Sequence, residues 1–274
     1  MKRVMIVGIS VLLLLPVGFF LLSSENQPVL YAASWDAVYE FQLNESFSLN
    51  VIMLEKKKWH ESSSIRKVKE VSLPNSGLNV DDFFIERGDR IKDHYRLVNL
   101  ILDISAEKAG SYEAKTIEIV FDDESTHAFD IGHLLFHVTD RKADRIFQPV
   151  ESYTVIYPEL EFSAKLQNQS TEEIVIESIE LENRTITLSD IRLNQHAFNE
   201  PVHLSSGESF TIEFTFAPVE QGYPFYAISP LIRYRLGERE YFERLPLAMY
   251  RLSSITEELI DEIMTNGDYD HFKH

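Results

Sequence analysis

Ile117-Glu118-Ile119-Val120-Phe121-Asp122-Asp123-Glu124-Ser125 carries the reading that decides the fold. Ile117, Ile119 and Phe121 alternate with Glu118, a period of two that puts apolar side chains on one face of an extended strand, and the acidic cluster behind them supplies a turn. The same period recurs on either side. Phe47, Leu49 and Val51 alternate with Ser48 and Asn50, and Leu134, Phe136 and Val138 interleave with Leu135 and His137. Residues 95–104 are apolar on both faces, as a strand in the middle of a sheet requires. Short strands with turn signals every 8 to 12 residues, roughly, predict a β-sandwich.

The N-terminus differs in kind. Residues 4–22 carry no charge and follow Met1-Lys2-Arg3. As a helix they would cover about 28 Å, close to the hydrocarbon thickness of a bilayer, with Lys2 and Arg3 held on the cytoplasmic side. The run is longer than a secretory h-region, and cleavage after Ala32 or Ala33 would place Leu30 or Tyr31 where a small residue belongs. Those details favour a retained signal anchor over a cleaved signal that would release the rest. The expected organisation is a cytoplasmic start and anchor over 1–24, a spacer over 25–34, a first β-sandwich over 35–148, a second over 149–252, and a short amphipathic helix with a tail over 253–274.

The chain has no cysteine, which excludes disulfides, thiolate metal sites and a cysteine nucleophile. Its formal charge of −18 repels nucleic acid at long range. A dispersed negative charge of this kind is first a solubility device. At the C-terminal end, Ser254 and Glu257 have the spacing of a capping box, Ile255, Leu259, Ile263 and Met264 recur at helical spacing, and Asn266-Gly267 is a stop. A helix over about residues 255–265 is expected to dock on the chain's own sandwich or on a partner.

Two stretches resemble known sandwich modules. Ala109-Gly110-Ser111-Tyr112-Glu113-Ala114 resembles the tyrosine corner of immunoglobulin-like domains, which implies that the Tyr112 hydroxyl bonds back to upstream backbone; Ala114 stands where antibody domains have a cysteine. Residues 157–170, ending in Asn168-Gln169-Ser170, resemble the strand before a turn in PapD-like and Hydin-like immunoglobulin modules. The strand over 173–181, the turn Leu204-Ser205-Ser206-Gly207-Glu208-Ser209-Phe210, the strand over 211–216 and a hairpin around Gly237-Glu238 follow in the order of those modules. The resemblance implies the fold over residues 151–247 and carries no function with it.

No catalytic or phosphate-binding motif stands out. Ser64-Ile65-Arg66-Lys67 fits a bare Ser-x-x-Lys but lacks the companion elements of the enzymes that use it. His127, Asp130, His133 and His137 would suit a metal on a helix, but on a strand His133 and His137 stand about 13 Å apart, which points to polar histidines on a solvent face. Lys56, Lys57, Lys58, Arg66, Lys67 and Lys69 cluster beside Trp59 and His60, either as a lysine-blunted edge or as a contact for anionic lipid or wall polymer. Tyr223, Phe225 and Tyr226 offer a candidate aromatic binding surface, or cap a core. No cofactor or metal is expected. The fold class is all-β, two tandem immunoglobulin-like sandwiches behind a transmembrane helix, with a short C-terminal helix. The functional expectation is a non-catalytic, extracytoplasmic interaction protein, an accessory or sensor subunit of a membrane complex with a protein partner. The alternatives are a cell-surface module for wall polymer or glycan, and a hydrolase whose site the sequence does not reveal.

Overall fold

The computed structural model describes residues 29–56, 67–92, 95–140, 145–150, 156–157, 160–218, 222–251 and 256–266. The apolar run at 4–22 lies outside them, and among the described residues no helix is long and apolar enough to cross a membrane. The chain is all-β apart from one helix.

The first sandwich uses eight strands in chain order: β1 (Val29–Ala32), β2 (Trp35–Gln42), β3 (Phe47–Lys56), β4 (Val68–Ser72), β5 (Asn79–Lys92), β6 (Tyr95–Ser105), β7 (Gly110–Phe121) and β8 (Thr126–Thr139). One sheet has the order β1-β3-β6-β5, and the other contains β2-β8-β7-β4. This is the ABED and CFG arrangement of an immunoglobulin-like sandwich, with β3 as strand B and β7 as strand F. The first strand changes sheets at Ala33-Ser34: β1 pairs antiparallel with β3, whereas β2 pairs parallel with β8. The strands expected at 47–54, 95–104, 117–121 and 134–138 are β3, β6, β7 and β8. At the start of β7 the Tyr112 hydroxyl donates to Lys108 O at 2.7 Å, which is the bond the tyrosine-corner resemblance implied.

The second sandwich is built from β9 (Phe147–Pro149), β11 (Glu161–Asn168), β12 (Ile174–Glu180), β13 (Ile186–Leu193), β14 (His196–Ala197), β15 (Val202–Leu204), β16 (Ser209–Pro218), β18 (Leu231–Leu236) and β19 (Arg239–Arg244), with β10 (Ile156–Tyr157), β17 (Phe225–Ile228) and β20 (Ala248–Tyr250) between them. Its sheets have the orders β14-β13-β16-β11-β9 and β15-β12-β18-β19, again ABED facing CFG. Asn168 explains why an asparagine closes β11. Fully buried, it donates through Nδ2 to Glu172 O, Leu204 O and Ser205 O at 3.0 to 3.2 Å and accepts the Ser170 N–H and hydroxyl on Oδ1, tying the two turns at one end of the sandwich.

The two sandwiches share a sheet. β17 pairs parallel with β2, β20 pairs with β17, and β10 with β20, so the first sandwich's second sheet reads β10-β20-β17-β2-β8-β7-β4. Every residue of β17 is buried, and alternation divides them: Phe225 and Ala227 enter the first core, Tyr226 and Ile228 the second. Helix α1 (Glu257–Asn266) adds Leu259, Ile260 and Ile263 to the first core. Its first turn is held by Thr256, whose Oγ1 accepts Leu259 N–H at 3.3 Å, and Arg251 grips its Glu262 at 2.7 Å. The helix therefore docks on this chain, on the first sandwich and not the second that precedes it.

Gly132 makes the parallel β2–β8 pairing possible. Its φ is +86°, and a Cβ there would collide with Trp35 O, lie 2.6 Å from Trp35 N and 2.9 Å from the Tyr223 ring. Gly132→Ala is expected to destabilise the chain by about 2 to 5 kcal/mol through backbone strain and overlap. Chemical denaturation measures this; a loss below about 0.5 kcal/mol, the range of an indifferent surface substitution, contradicts the close approach.

Candidate functional site

The alternation that sends Trp35, Ala37, Tyr39 and Phe41 into the first core turns Asp36 and Glu40 to the other face of β2. On the neighbouring strands Ser111, Glu113, His133 and His137 share that face. Its centre is closed to water at Asp36 and His133, because the second sandwich covers it with Glu182, Asn183, Arg184 and Thr185, between β12 and β13, and with Arg244 at the end of β19, while Ser111 and Arg184 are exposed at the rim. Among the described residues the buried ionisable groups concentrate in this seam.

Asp36 is its centre and is fully buried. Its Oδ2 accepts the Thr185 N–H at 2.8 Å and the Thr185 hydroxyl at 2.6 Å. Asn183 Nδ2 reaches Asp36 O at 3.0 Å, Asp36 Oδ1 at 3.3 Å and Ala227 O at 3.3 Å, so one amide joins β2, β17 and the covering loop. Further links cross beside it. His137 Nε2 stands 3.0 Å from Glu182 Oε2, Arg184 Nη1 3.4 Å from Glu113 Oε1, and Arg244 bonds Glu182 while its Nε lies 3.3 Å from Glu40 Oε2. His133 Nε2 is 3.0 Å from Glu113 Oε1, and Nδ1 is 3.7 Å from Asp36 Oδ1.

Burial sets the protonation of the seam. Desolvation, reinforced by the Arg184 charge, pushes the His133 pKa down against the opposing pull of Asp36 and Glu113. The bond from His137, then Arg244, holds Glu182 at about 2 despite burial. In the second core, burial raises Glu243 to about 7 even though it accepts the N–H groups of Ile146 and Phe147.

The histidines were expected on a solvent face, and the structure corrects this: β8 is a strand, but the face carrying His133 and His137 is an internal joint. No group of three or more metal-ligating side chains with suitable geometry occurs among the described residues. Ser111 Oγ, 3.1 Å from His137 Nδ1, completes a Ser-His-Glu chain with Glu182. Such an order suits acyl transfer, but Ser111 lies on an extended strand rather than a sharp turn, and Glu182 is shared with Arg244. The chain reads as a ladder of hydrogen bonds fastening one sandwich to the other.

The aromatic surface is a second correction. Phe225 and Tyr226 are buried, Phe225 with its ring 4.9 Å from Trp35, and only Tyr223 is partly exposed. These rings close the joint between the cores. Of the cation cluster, Lys57, Lys58 and Arg66 lie outside the described residues. Lys56 ends β3 with its ammonium 5.7 Å from the Tyr95 ring centre, Lys67 is exposed just before β4, and Lys69 pairs with Glu124 at 2.7 Å.

The strand orders define the class of the molecule as a tandem immunoglobulin-like β-sandwich protein. No family model matches the sequence, and no curated protein matches it. Solved structures with some similarity include a protein of unknown function from Porphyromonas gingivalis, at 10% identity over 81% of this chain and 99% of that one, with a TM-score of 0.28. The C-terminal domain of the Streptococcus agalactiae antigen I/II polypeptide BspA shows 7% identity over 82% and 99%, with a TM-score of 0.20. The sialic acid binding region of a Streptococcus sanguinis adhesin shows 10% identity over 82% and 77%, also at 0.20. Likeness at that level carries no argument, and the fold assignment rests on the strand order.

Asp36→Ala is expected to cost about 3 to 5 kcal/mol, because it removes the buried carboxylate on which the Thr185 N–H and hydroxyl converge and leaves both without that acceptor. Glu182 adds a pH signature. Its folded pKa lies below the usual 4.5, so its contribution is present above about pH 4.5 and is lost as pH falls toward 2. Melting temperatures of the wild type and Glu182→Gln should therefore differ at pH 7 and converge between pH 4.5 and 2; a gap independent of pH excludes the ionised pair.

Proposed function

We propose that this is a membrane-anchored, extracytoplasmic interaction protein that acts through protein contacts, as an accessory or sensor subunit of a membrane complex. The observation that carries the reading is the shared sheet, which with the Asp36 seam makes two binding modules into one rigid body and employs the buried polar side chains as fasteners. The uncharged run at 4–22 supports an uncleaved anchor. The Asn168-centred turn supports reading the second sandwich as a PapD-like or Hydin-like module.

A contact surface is supplied by the β18–β19 hairpin. Phe242 is 54% exposed, with Arg233 Cζ 5.3 Å from its ring centre, and aromatic and arginine side chains are the groups most often decisive in protein interfaces. With a photoreactive aromatic residue at position 242, the full chain in native membranes should give a discrete protein adduct after irradiation, and Phe242→Ser should weaken copurification of that protein about tenfold or more. Recovery of the chain in the soluble fraction, or adducts only with wall polymer, would sink the proposal in favour of a secreted or polymer-binding module.

A further inference from the structure

The strand register fixes which end of the molecule the N-terminal segment leaves from. Val29 stands opposite Lys56, Lys56 opposite Tyr95 and Lys92 opposite Tyr95, so the start of β1, the end of β3, the start of β6 and the end of β5 share one end of the first sandwich. β4 and β8 also begin there, since Val68 pairs with Phe121, and only the four residues 122–125 separate Phe121 from the start of β8 at Thr126. The second sandwich attaches elsewhere: Asp36 pairs with His133, seven residues along β8, or about 24 Å away from that end.

This end carries the exposed cations Lys56, Lys67 and Arg90. Its acidic groups are the turn Asp122-Asp123-Glu124, where Glu124 is taken up by Lys69 and Asp123 accepts the Ser125 N–H and hydroxyl, and Glu70, exposed beside Lys69 on β4. Asp89 lies beside Arg90 on β5. The cations Lys56 and Arg90 lie on the sheet whose edge strand, β1, receives the N-terminal segment. Only residues 23–28 separate β1 from the apolar run, and fully extended they span about 20 Å.

We infer that this end of the first sandwich rests on anionic lipid head groups, with Lys56, Lys67 and Arg90 toward the bilayer and the second sandwich, with Phe242, projected away from it. The inference rests on the anchored reading above and adds an orientation and a ligand class. The occupant follows from the segment before β1, uncharged over residues 4–22 and joined to Val29 by residues 23–28, and from charge: a chain of formal charge −18 is repelled by an anionic surface except where its cations lead. Attraction of this kind acts within a Debye length of about 8 Å at physiological salt, a range that a six-residue tether permits.

The absence of cysteine allows a clean test. The full chain with Arg90→Cys or Glu45→Cys, the latter in the turn at the opposite end of the sandwich, is labelled with a fluorophore and reconstituted into nanodiscs of phosphatidylglycerol or phosphatidylcholine that contain a head-group quencher. Quenching at position 90 should exceed that at position 45 several-fold in the anionic discs. The excess should shrink in the zwitterionic discs or at 1 M salt, and Lys56→Glu with Lys67→Glu should abolish it. Equal quenching at both positions, or no dependence on lipid charge, overturns the inference while leaving the anchor intact. Failure of the chain to copurify with the discs overturns both. Protection at position 90 by purified anionic wall polymer and not by anionic lipid overturns it in favour of the polymer.

Discussion

The parallel pairing of β17 with β2 is the constraint on which the rest depends. A strand has two faces, and β17 assigns one to each core: Phe225 and Ala227 pack with Trp35 and its neighbours, while Tyr226 and Ile228 pack among Phe216, Tyr250 and Ile232. Covering β2 also removes an exposed sheet edge that would otherwise be open to pairing with another chain. Because β2 enters the sheet from β1, and β17 leads directly into β18, the joint couples the first strand of one sandwich to strand F of the other. The first core does not close without Phe225 and Ala227, which come from beyond the end of its own eight strands.

Pairing fixes the strands along one line, and the polar seam fixes the remaining freedom. A flat apolar contact tolerates sliding, whereas the bonds from Asn183 and Thr185 to Asp36 are directional and lose their partners on a small shift. Burying Asp36 is tolerable only because several donors converge on it. The charges flanking it are arranged in opposed pairs across the joint, Arg244 with Glu40 and Arg184 with Glu113, while Arg244 also holds Glu182 on its own side. Acid removes the negative charge of Glu182 and drives His133 toward a charge its surroundings resist, so both effects loosen the seam in the same direction.

The sandwiches were legible in the sequence where one face of a strand is wet or where a turn needs a particular residue. Ile117, Ile119 and Phe121 alternate because the residues between them reach the surface, and Tyr112 and Asn168 are visible because their bonds back to the chain require those side chains. The joint was not legible, for the opposite reason. With both faces buried, β17 has no period of two, and residues 222–226 read as a loop or edge segment whose rings either bind a partner or cap a core. Likewise Asp36, His133 and His137 fall out of phase with the first core, and periodicity cannot distinguish a side chain facing water from one facing a polar partner. The signal that could have exposed the seam is the glycine at 132 in the middle of an apolar strand, a mark of close backbone approach.

Joining two modules through a shared sheet changes what their combined surface can do. Modules on a flexible linker must be ordered when a partner touches both, and that entropy is subtracted from the affinity. Here the ordering is completed during folding, by β17, the seam and α1, so a partner that spans both sandwiches meets a surface already in place. The same rigidity transmits position. Fixing one sandwich sets the position and direction of the other without further contacts, because the first sandwich, the shared sheet and the second sandwich form one continuous body.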